Sequence, residues 1–304
     1  MSIFLGFDTS NYTTSVAVVG KNTQNLRKII DIKEGMRGIR QSDAVFVHLK
    51  ELPNLFEKLD IDFGKVRAVG VSTRPRSQDG SYMPVFTAGE SFARITAKTL
   101  GVPLFTFSHQ DGHIMAGIMS GEFYELLDAP FTAVHLSGGT TEIINCSYQK
   151  DGFGAKIIGG TRDISAGQLV DRLGVALGMK FPCGAQIDAL AGTCNAEPLN
   201  LKISTDGSFI NFSGAETRLL SLVGKEPDAV LAKTALSVIG KSLKNAIDAS
   251  SAKRVLFVGG VTSSIYLRNY LSENISDKTY FASPELSSDN AVGIAKLCQL
   301  AQKE

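Results

Sequence analysis

The chain has 304 residues, 43% of them hydrophobic and 20% charged, with a formal net charge of +1. That length exceeds what one hydrophobic core usually serves and predicts two lobes. The composition excludes extensive disorder, and near-neutrality excludes a global electrostatic pull toward nucleic acid or membrane, leaving only local patches. Cys146, Cys183, Cys194 and Cys298 form no C-x-x-C pair, so neither a zinc knuckle nor a disulfide framework is expected, and a reducing compartment fits. No signal-peptide pattern opens the sequence, and no apolar run approaches the roughly 18 residues of a spanning helix. The expected location is the cytoplasm.

Ile3 to Phe7 reads as a strand, Asp8 to Tyr12 as a turn, and Thr13 to Val19 as a β-branched return, together a hairpin. Asp43 to Leu59 carries Val45, Leu49, Leu52 and Phe56 at spacings of three and four, which predicts an amphipathic helix interrupted near Pro53. His48 within it is read as structural. Arg67 to Ser72 has the character of a buried strand, and Thr87 to Leu100 that of a helix stopped by Gly101 and Pro103. A second hairpin follows: Phe131 to Leu136, the turn Ser137-Gly138-Gly139, and Thr140 to Cys146, with His135 again structural. Aligned on the turns, Ser10-x-x-Thr13-Thr14 matches Ser137-x-x-Thr140-Thr141, which predicts an internal duplication. Ala166 to Leu177 and Asp228 to Ala249 read as helices, and Arg254 to Val258 as a strand ending in Gly259-Gly260. Ser288 is expected to cap a last helix over Asp289 to Gln302. Strands followed by helices in two related halves predict an α/β protein with one sheet per lobe: residues 1–130 plus 288–304, and residues 131–287.

Glycine turns after strands let backbone N–H groups approach phosphate oxygens. Ser137-Gly138-Gly139-Thr140-Thr141 is one such turn, and Gly259-Gly260-Val261-Thr262-Ser263-Ser264 is a second. Asp8, at the first turn, could orient a metal or a water near a phosphate, or serve as an ordinary turn carboxylate. His109-Gln110-Asp111-Gly112-His113 places two imidazoles at i and i+4, one face of a helix that Ser108 can cap. Gln110 cannot act as a general base, which disfavours a zinc protease; a carboxylate or phosphate must complete the coordination sphere. Asp163 and Asp171 could meet ribose hydroxyls or complement a helix dipole. Phe181-Pro182-Cys183-Gly184 makes a turn, and Asp188 follows on a short helix. The most basic stretch, Lys21 to Arg40, carries Lys21, Arg27, Lys28, Lys33, Arg37 and Arg40 against Asp31 and Glu34. It could contact nucleic-acid phosphates or be a solvated surface.

These segments, in order, resemble the TsaD family (also called Gcp or O-sialoglycoprotein-endopeptidase-like). The matching residues are Phe7-Asp8-Thr9-Ser10, Ser108 to His113, Leu136-Ser137-Gly138-Gly139, Asp163 to Asp171 with Phe181 to Asp188, Asn211-Phe212-Ser213-Gly214, Gly259-Gly260-Val261 and Ser288-Asp289-Asn290-Ala291. The resemblance implies an actin/hexokinase/Hsp70-type ATPase fold of two duplicated lobes, each with a mixed sheet flanked by helices. It implies metal-dependent transfer of threonylcarbamoyl from threonylcarbamoyl-AMP to the N6 amine of a tRNA adenosine. By the same resemblance His109, His113 and Asp289 hold a divalent metal, iron or zinc, with Asp8, His109 and His113 at the reaction centre. An adenine nucleotide (ATP, ADP or threonylcarbamoyl-AMP) is held by Ser137, Gly138, Gly139 and Thr140 at phosphate, Asp171, Gly184 and Asp188 at ribose, and Gly260 and Ser264 near adenine. The implied partners are tRNA and either a paralogous protein of the TsaB type or a second copy of the chain.

The chain departs from the family pattern at several points. Tyr12-Thr13 replaces an acidic pair, Thr140 a histidine, and Gln168 a glutamate; Arg172 replaces a lysine. Cys183-Gly184-Ala185 replaces Gly-Gly-Pro, Ala215-Glu216 replaces Leu-Lys, and Ser264 an asparagine. The pattern is that of a divergent paralogue. Two alternatives stand beside it: an ATP-dependent enzyme of the same fold with a different acceptor, and a nucleotide-binding partner protein without turnover.

Overall fold

A computed structural model describes residues 2–10, 12–30, 39–78, 80–287 and 289–303. The chain divides into two compact units. Unit 1 is Met1–Tyr124, Ser147–Gly154 and Ser288–Glu304; unit 2 is Glu125–Cys146 and Ala155–Ser287.

Unit 1 is built on strands β1 (Ile3–Thr9), β2 (Thr13–Val19), β3 (Gln24–Ile29), β4 (Val66–Arg74) and β5 (Leu104–Ser108), in the order β3-β2-β1-β4-β5. β1 pairs antiparallel with β2 and parallel with β4. β2 and β3 are antiparallel, β4 and β5 parallel. The central strands are buried on both faces, as a sheet covered by helices on each side requires. Helices α1 (Gln41–Phe56) and α2 (Phe86–Leu100) supply part of that cover, and Leu5, Phe7, Val16, Val18, Leu52, Leu55, Val69 and Val71 share one apolar core. Gly101, at φ 65°, ends α2 where the sequence predicts a stop.

Two expectations change here. The buried stripe of α1 is Ala44, His48, Leu52 and Leu55, while Leu49 lies 44% exposed. The face is rotated because His48, a polar residue, is turned inward to meet the Thr14 hydroxyl at 2.8 Å. Pro53 does not interrupt the helix, since the carbonyl that loses its donor belongs to the exposed Leu49.

Unit 2 takes its sheet from β6 (Phe131–Leu136), β7 (Thr141–Gln149), β8 (Gly152–Thr161), β9 (Ser204–Asp206), β10 (Phe209–Asn211), β11 (Arg254–Val258) and β12 (Lys278–Phe281), in the order β12-β11-β6-β7-β8-β10-β9. The tip of the β7–β8 hairpin counts with unit 1. β6 pairs antiparallel with β7 and parallel with β11, and β11 is parallel to β12. The series β3-β2-β1-β4-β5 is therefore repeated as β8-β7-β6-β11-β12. The hairpin turns match as well: four residues separate Thr9 from Thr14, and four separate Leu136 from Thr141, each pair facing in register. Helices α4 (Ala166–Ala176), α5 (Gly184–Gly192), α6 (Ser213–Leu222), α7 (Asp228–Ser250) and α8 (Ile265–Asn274) bury Leu169, Ile187, Leu219, Leu236, Ile239 and Leu267 with Val134 and Phe257 of the sheet. Unit 1 is completed by α3 (His109–Ser120) and α9 (Val292–Lys303).

The last helix begins at Val292, not at Asp289. Asn290 accepts the Val292 N–H at 2.9 Å, which leaves Asp289 in the preceding loop. The expected cap, Ser288, lies outside the described residues.

Candidate functional site

In unit 1 the β5–α3 junction sets the first cluster. Ser108 caps α3 by accepting the Asp111 N–H, while the Asp111 carboxylate accepts the Ser108 N–H at 2.8 Å, a reciprocal capping box. Asp111 is fully buried and accepts two further bonds, from Ser77 Oγ at 3.0 Å and from Phe153 N–H at 3.2 Å. Burial pushes its carboxyl above the usual range, and these donors hold the shift in check. The first turn of α3 is thus anchored to the loop after β4 and to the β7–β8 tip. From it, His109 and His113 project on one face as the spacing predicts, with Nε2 atoms 3.0 Å apart.

Asp289 joins them: Oδ1 lies 3.1 Å from His113 Nε2 and 3.6 Å from His109 Nε2. Its second oxygen accepts from Ser10 Oγ at 3.0 Å and Thr13 Oγ1 at 3.3 Å, so the β1–β2 turn orients the carboxylate. Asp8 stands behind His109. Its side chain is 1% exposed, with Oδ2 2.8 Å from His109 Nδ1, while Ser72 Oγ donates to Oδ1. In the neutral tautomer with its proton on Nδ1 toward Asp8, His109 would turn the Nε2 lone pair toward Asp289 and His113, the arrangement of a metal-ligating histidine with a carboxylate behind it. Burial opposes a charged His109, but Asp8 and Asp289 outweigh it and hold the imidazole well above its ordinary range. Burial likewise opposes the charge on Asp289, and the bonds from His109 and His113 override it, so its carboxyl lies well below the usual range. The ligand atoms of His109, His113 and Asp289 all lie within 4.8 Å of one another, a set that could hold a divalent metal.

In unit 2 the glycine turns form a second, continuous set. Ser137 Oγ accepts the Thr140 N–H at 3.1 Å, and the Gly138 carbonyl accepts from Ser165 Oγ at 2.7 Å. Ser165 caps α4 with Gln168 as its capping-box partner. Gly167 presses so closely on this turn that a Cβ there would lie 2.4 Å from the Ser137 carbonyl oxygen. Asp171, further along α4, accepts the Cys183 N–H at 2.7 Å and fixes the turn leading to Gly184. Asp188, on α5, accepts from Ser264 Oγ and from the N–H groups of Ile265 at 2.8 Å and Tyr266 at 3.2 Å, capping α8. Gly259 abuts the end of β6 at Leu136. A Cβ on Gly138, Gly139, Gly184 or Gly260 would meet nothing within 4 Å, so these four border open space.

Asp163 is committed elsewhere. It accepts the N–H groups of Phe212 and Ser213, each at 2.9 Å, at the start of α6. Burial raises its carboxyl, but those bonds dominate and bring it down to about 2. Two of the departures answer each other: Arg172 Nη1 meets Glu216 Oε1 at 2.9 Å, so the charge reversal at 216 is paired within unit 2. In the basic stretch, Lys28 on the edge strand β3 shares a surface groove with Glu51, Asn54, Glu57 and Lys58, and the local charge is mixed; Lys33 and Arg37 lie outside the described residues. Sequence reasoning missed Ser10, Thr13 and Ser72 as orienting groups, and Asp111 as an anchor. The S-x-x-D spacing from Ser108 carried the signal for Asp111.

Residues 25–296 match the TsaD family model, described as tRNA N6-adenosine threonylcarbamoyltransferase. A relative bearing that name in Riemerella anatipestifer is 28% identical over 324 residues, covering 98% of this chain and 92% of its own. Another, in Mycoplasmopsis synoviae, is 28% identical and covers 99% of each chain. Among solved structures, component A of the Acidaminococcus fermentans (R)-2-hydroxyglutaryl-CoA dehydratase superposes with a TM-score of 0.59 at 13% identity, covering all of both chains. A ROK-family glucokinase from Streptomyces griseus, solved with glucose and AMPPNP, gives 0.52 at 12% with the same coverage. At such identities the likeness establishes the fold alone, that of the actin/hexokinase-type ATPases.

Proposed function

The chain belongs to the TsaD family of tRNA N6-adenosine threonylcarbamoyltransferases, which are acyltransferases, and on that premise we propose a metal-dependent transfer of threonylcarbamoyl from threonylcarbamoyl-AMP to a tRNA adenosine. The observation that carries the metal reading is the convergence of His109, His113 and Asp289 with Asp8 behind His109. In the transfer, the adenosine N6 attacks the carbamoyl carbonyl carbon. The bond from that carbon to the phosphate oxygen breaks, AMP leaves with the electron pair, and one N6 proton passes to solvent. His109, His113 and Asp289 would hold a divalent metal, which when bound would supply Lewis-acid stabilisation of phosphate and carbonyl oxygens.

The chain's own groups do the positioning. Asp8 fixes the His109 tautomer and ring plane, and Ser10 and Thr13 fix the Asp289 carboxylate. The turn Ser137 to Thr140, with Gly138 and Gly139 open to a ligand, cradles phosphate, and Gly184 and Gly260 border the nucleoside. Asp171 and Asp188 already accept backbone N–H groups, so they shape the ribose pocket through the turns they hold as well as by direct contact.

The Arg172–Glu216 pair favours a second reading, an enzyme of the same fold with a different acceptor, because a lysine of the family pattern has become a carboxylate. The deciding assay combines purified protein, threonylcarbamoyl-AMP and unmodified tRNA, with and without a TsaB-type partner, and digests the tRNA for nucleoside mass spectrometry. The modified nucleoside should form, disappear on chelation and return with added metal. Turnover that survives complete metal removal sinks the metal dependence; no product under any condition transfers preference to the second reading.

A further inference from the structure

The loop that joins β4 to α2 belongs to neither the metal ligands nor the glycine turns, yet its described residues are tied to the metal centre at both ends. At its start, Arg74 faces Ser108 in the β4–β5 register, and Ser108 caps the helix that carries both histidines. The Pro75 carbonyl accepts the Gln110 N–H at 3.0 Å, and Ser77 Oγ donates to Asp111 at 3.0 Å. Midway, the Arg76 N–H bonds Ser81 Oγ at 3.1 Å and folds the loop back on itself. At its far end, Met83 packs with Val85 and Phe86, and the Phe86 ring lies 6.0 Å from the His109 ring.

On this anchored loop Tyr82 is 70% exposed. It stands four residues before Phe86, which keeps it within about 14 Å of chain from the ring that touches His109. Arg74 has no carboxylate in ion-pair reach among the described residues; it donates instead to the neighbouring Thr73 hydroxyl at 3.3 Å. Arg74, with no carboxylate in ion-pair reach among the described residues, stands at the start of this loop and the exposed Tyr82 ring toward its end; an arginine that meets phosphate and a ring that stacks a base are the groups that grip a single-stranded nucleotide. The mixed charge around Lys28 offers no such combination.

We infer that the β4–α2 loop is a docking element for the RNA acceptor, with Tyr82 stacking an unpaired base next to the acceptor adenosine and Arg74 contacting a phosphate. This rests on the proposed tRNA reaction and names residues that would present the acceptor to the metal centre. Both side chains act on acceptor binding, and neither is one of the metal ligands.

The test uses full-length protein with unmodified tRNA in equilibrium binding and in the transfer assay. Tyr82→Ala should weaken tRNA binding and raise its KM about 5- to 100-fold, while Tyr82→Phe, which keeps the stacking face, should stay near the parent. Arg74→Gln should lower the slope of log affinity against log salt by about one unit. Metal content and ATP binding should be unchanged in all three. If the parent modifies tRNA and both Tyr82→Ala and Arg74→Gln match it in KM and salt slope, the loop assignment is overturned while the transferase reading stands. A parent that neither binds nor modifies tRNA overturns both. A Tyr82→Ala variant that keeps tRNA affinity but changes oligomeric state on a sizing column marks the loop as a protein contact and overturns the RNA assignment.

Discussion

Gly112 and Gly293 meet so closely that a Cβ on Gly293 would lie 1.9 Å from the Gly112 carbonyl oxygen. Gly112 sits between His109 and His113, and Gly293 follows Asp289 by four residues. Contact of α3 and α9 at backbone level is therefore what brings a carboxylate from one end of the sequence to two histidines a third of the way along it. Gly293→Ala must push the helices apart, and overpacking of this kind typically costs about 1–3 kcal/mol. The expected outcome is a folded protein with lower thermal stability and lost stoichiometric metal; a variant that keeps full metal content by elemental analysis would show that the site tolerates the separation.

Asp8 and His109 test the tautomer argument. His109→Ala removes one ligand atom and should weaken metal binding sharply. Asp8→Asn leaves all three ligand atoms in place but loses the carboxylate behind the imidazole, and outer partners of this kind are typically worth about 10- to 100-fold in affinity. Metal titration by isothermal calorimetry should rank the parent above Asp8→Asn and Asp8→Asn above His109→Ala. Equal affinity of the parent and Asp8→Asn would remove Asp8 from the positioning role.

How much of the fold and the site is legible in the sequence differs by residue. The His109/His113 pair and its Ser108 cap are local, i to i+4 and i to i+3, so spacing alone exposes them. The duplicated hairpins are legible because a turn must keep its length and its hydroxyls for the register to hold, and Ser10/Thr13 and Ser137/Thr140 do. What the sequence does not disclose is tertiary. The Asp8–His109 contact spans 101 positions and the Ser10–Asp289 contact 279, and no periodicity encodes them; only the resemblance places Asp289 with the histidines. On α1, hydrophobic spacing favours Leu49 over His48 for the inward face, while the structure buries the histidine on a hydroxyl.

Asp163 gives the pH prediction. Its folded carboxyl lies at about 2, below the usual carboxylate range, because the Phe212 and Ser213 donors outweigh its burial. A depressed carboxyl stabilises the fold above its unfolded value, and that contribution is lost as pH falls through the folded one. Asp163→Asn should therefore be less stable than the parent by a constant margin from neutral pH to about 4. The margin should shrink toward pH 2, with most of the surface-exposed contribution screened at high salt. Parallel thermal melts across that window check it, and a gap that persists undiminished at pH 2 would assign the difference to something other than the ionised carboxylate.

The Gly138 turn tests the nucleotide assignment in unit 2. A Cβ on Gly138 meets nothing within 4 Å, so Gly138→Val should fold with near-parent stability, and its branched side chain should occupy the space into which a phosphate would fit. Gly167→Ala is the structural control: its Cβ would lie 2.4 Å from the Ser137 carbonyl oxygen, so it should displace the α4 N-terminus and lower stability as well as binding. Binding of ATP or ADP, measured by calorimetry beside thermal melts of both variants, separates the two effects. Gly138→Val should lose most nucleotide affinity at unchanged melting temperature, and Gly167→Ala should lose both. A Gly138→Val protein that melts and binds like the parent would place the phosphates elsewhere, with the glycines of this turn then serving only the hairpin.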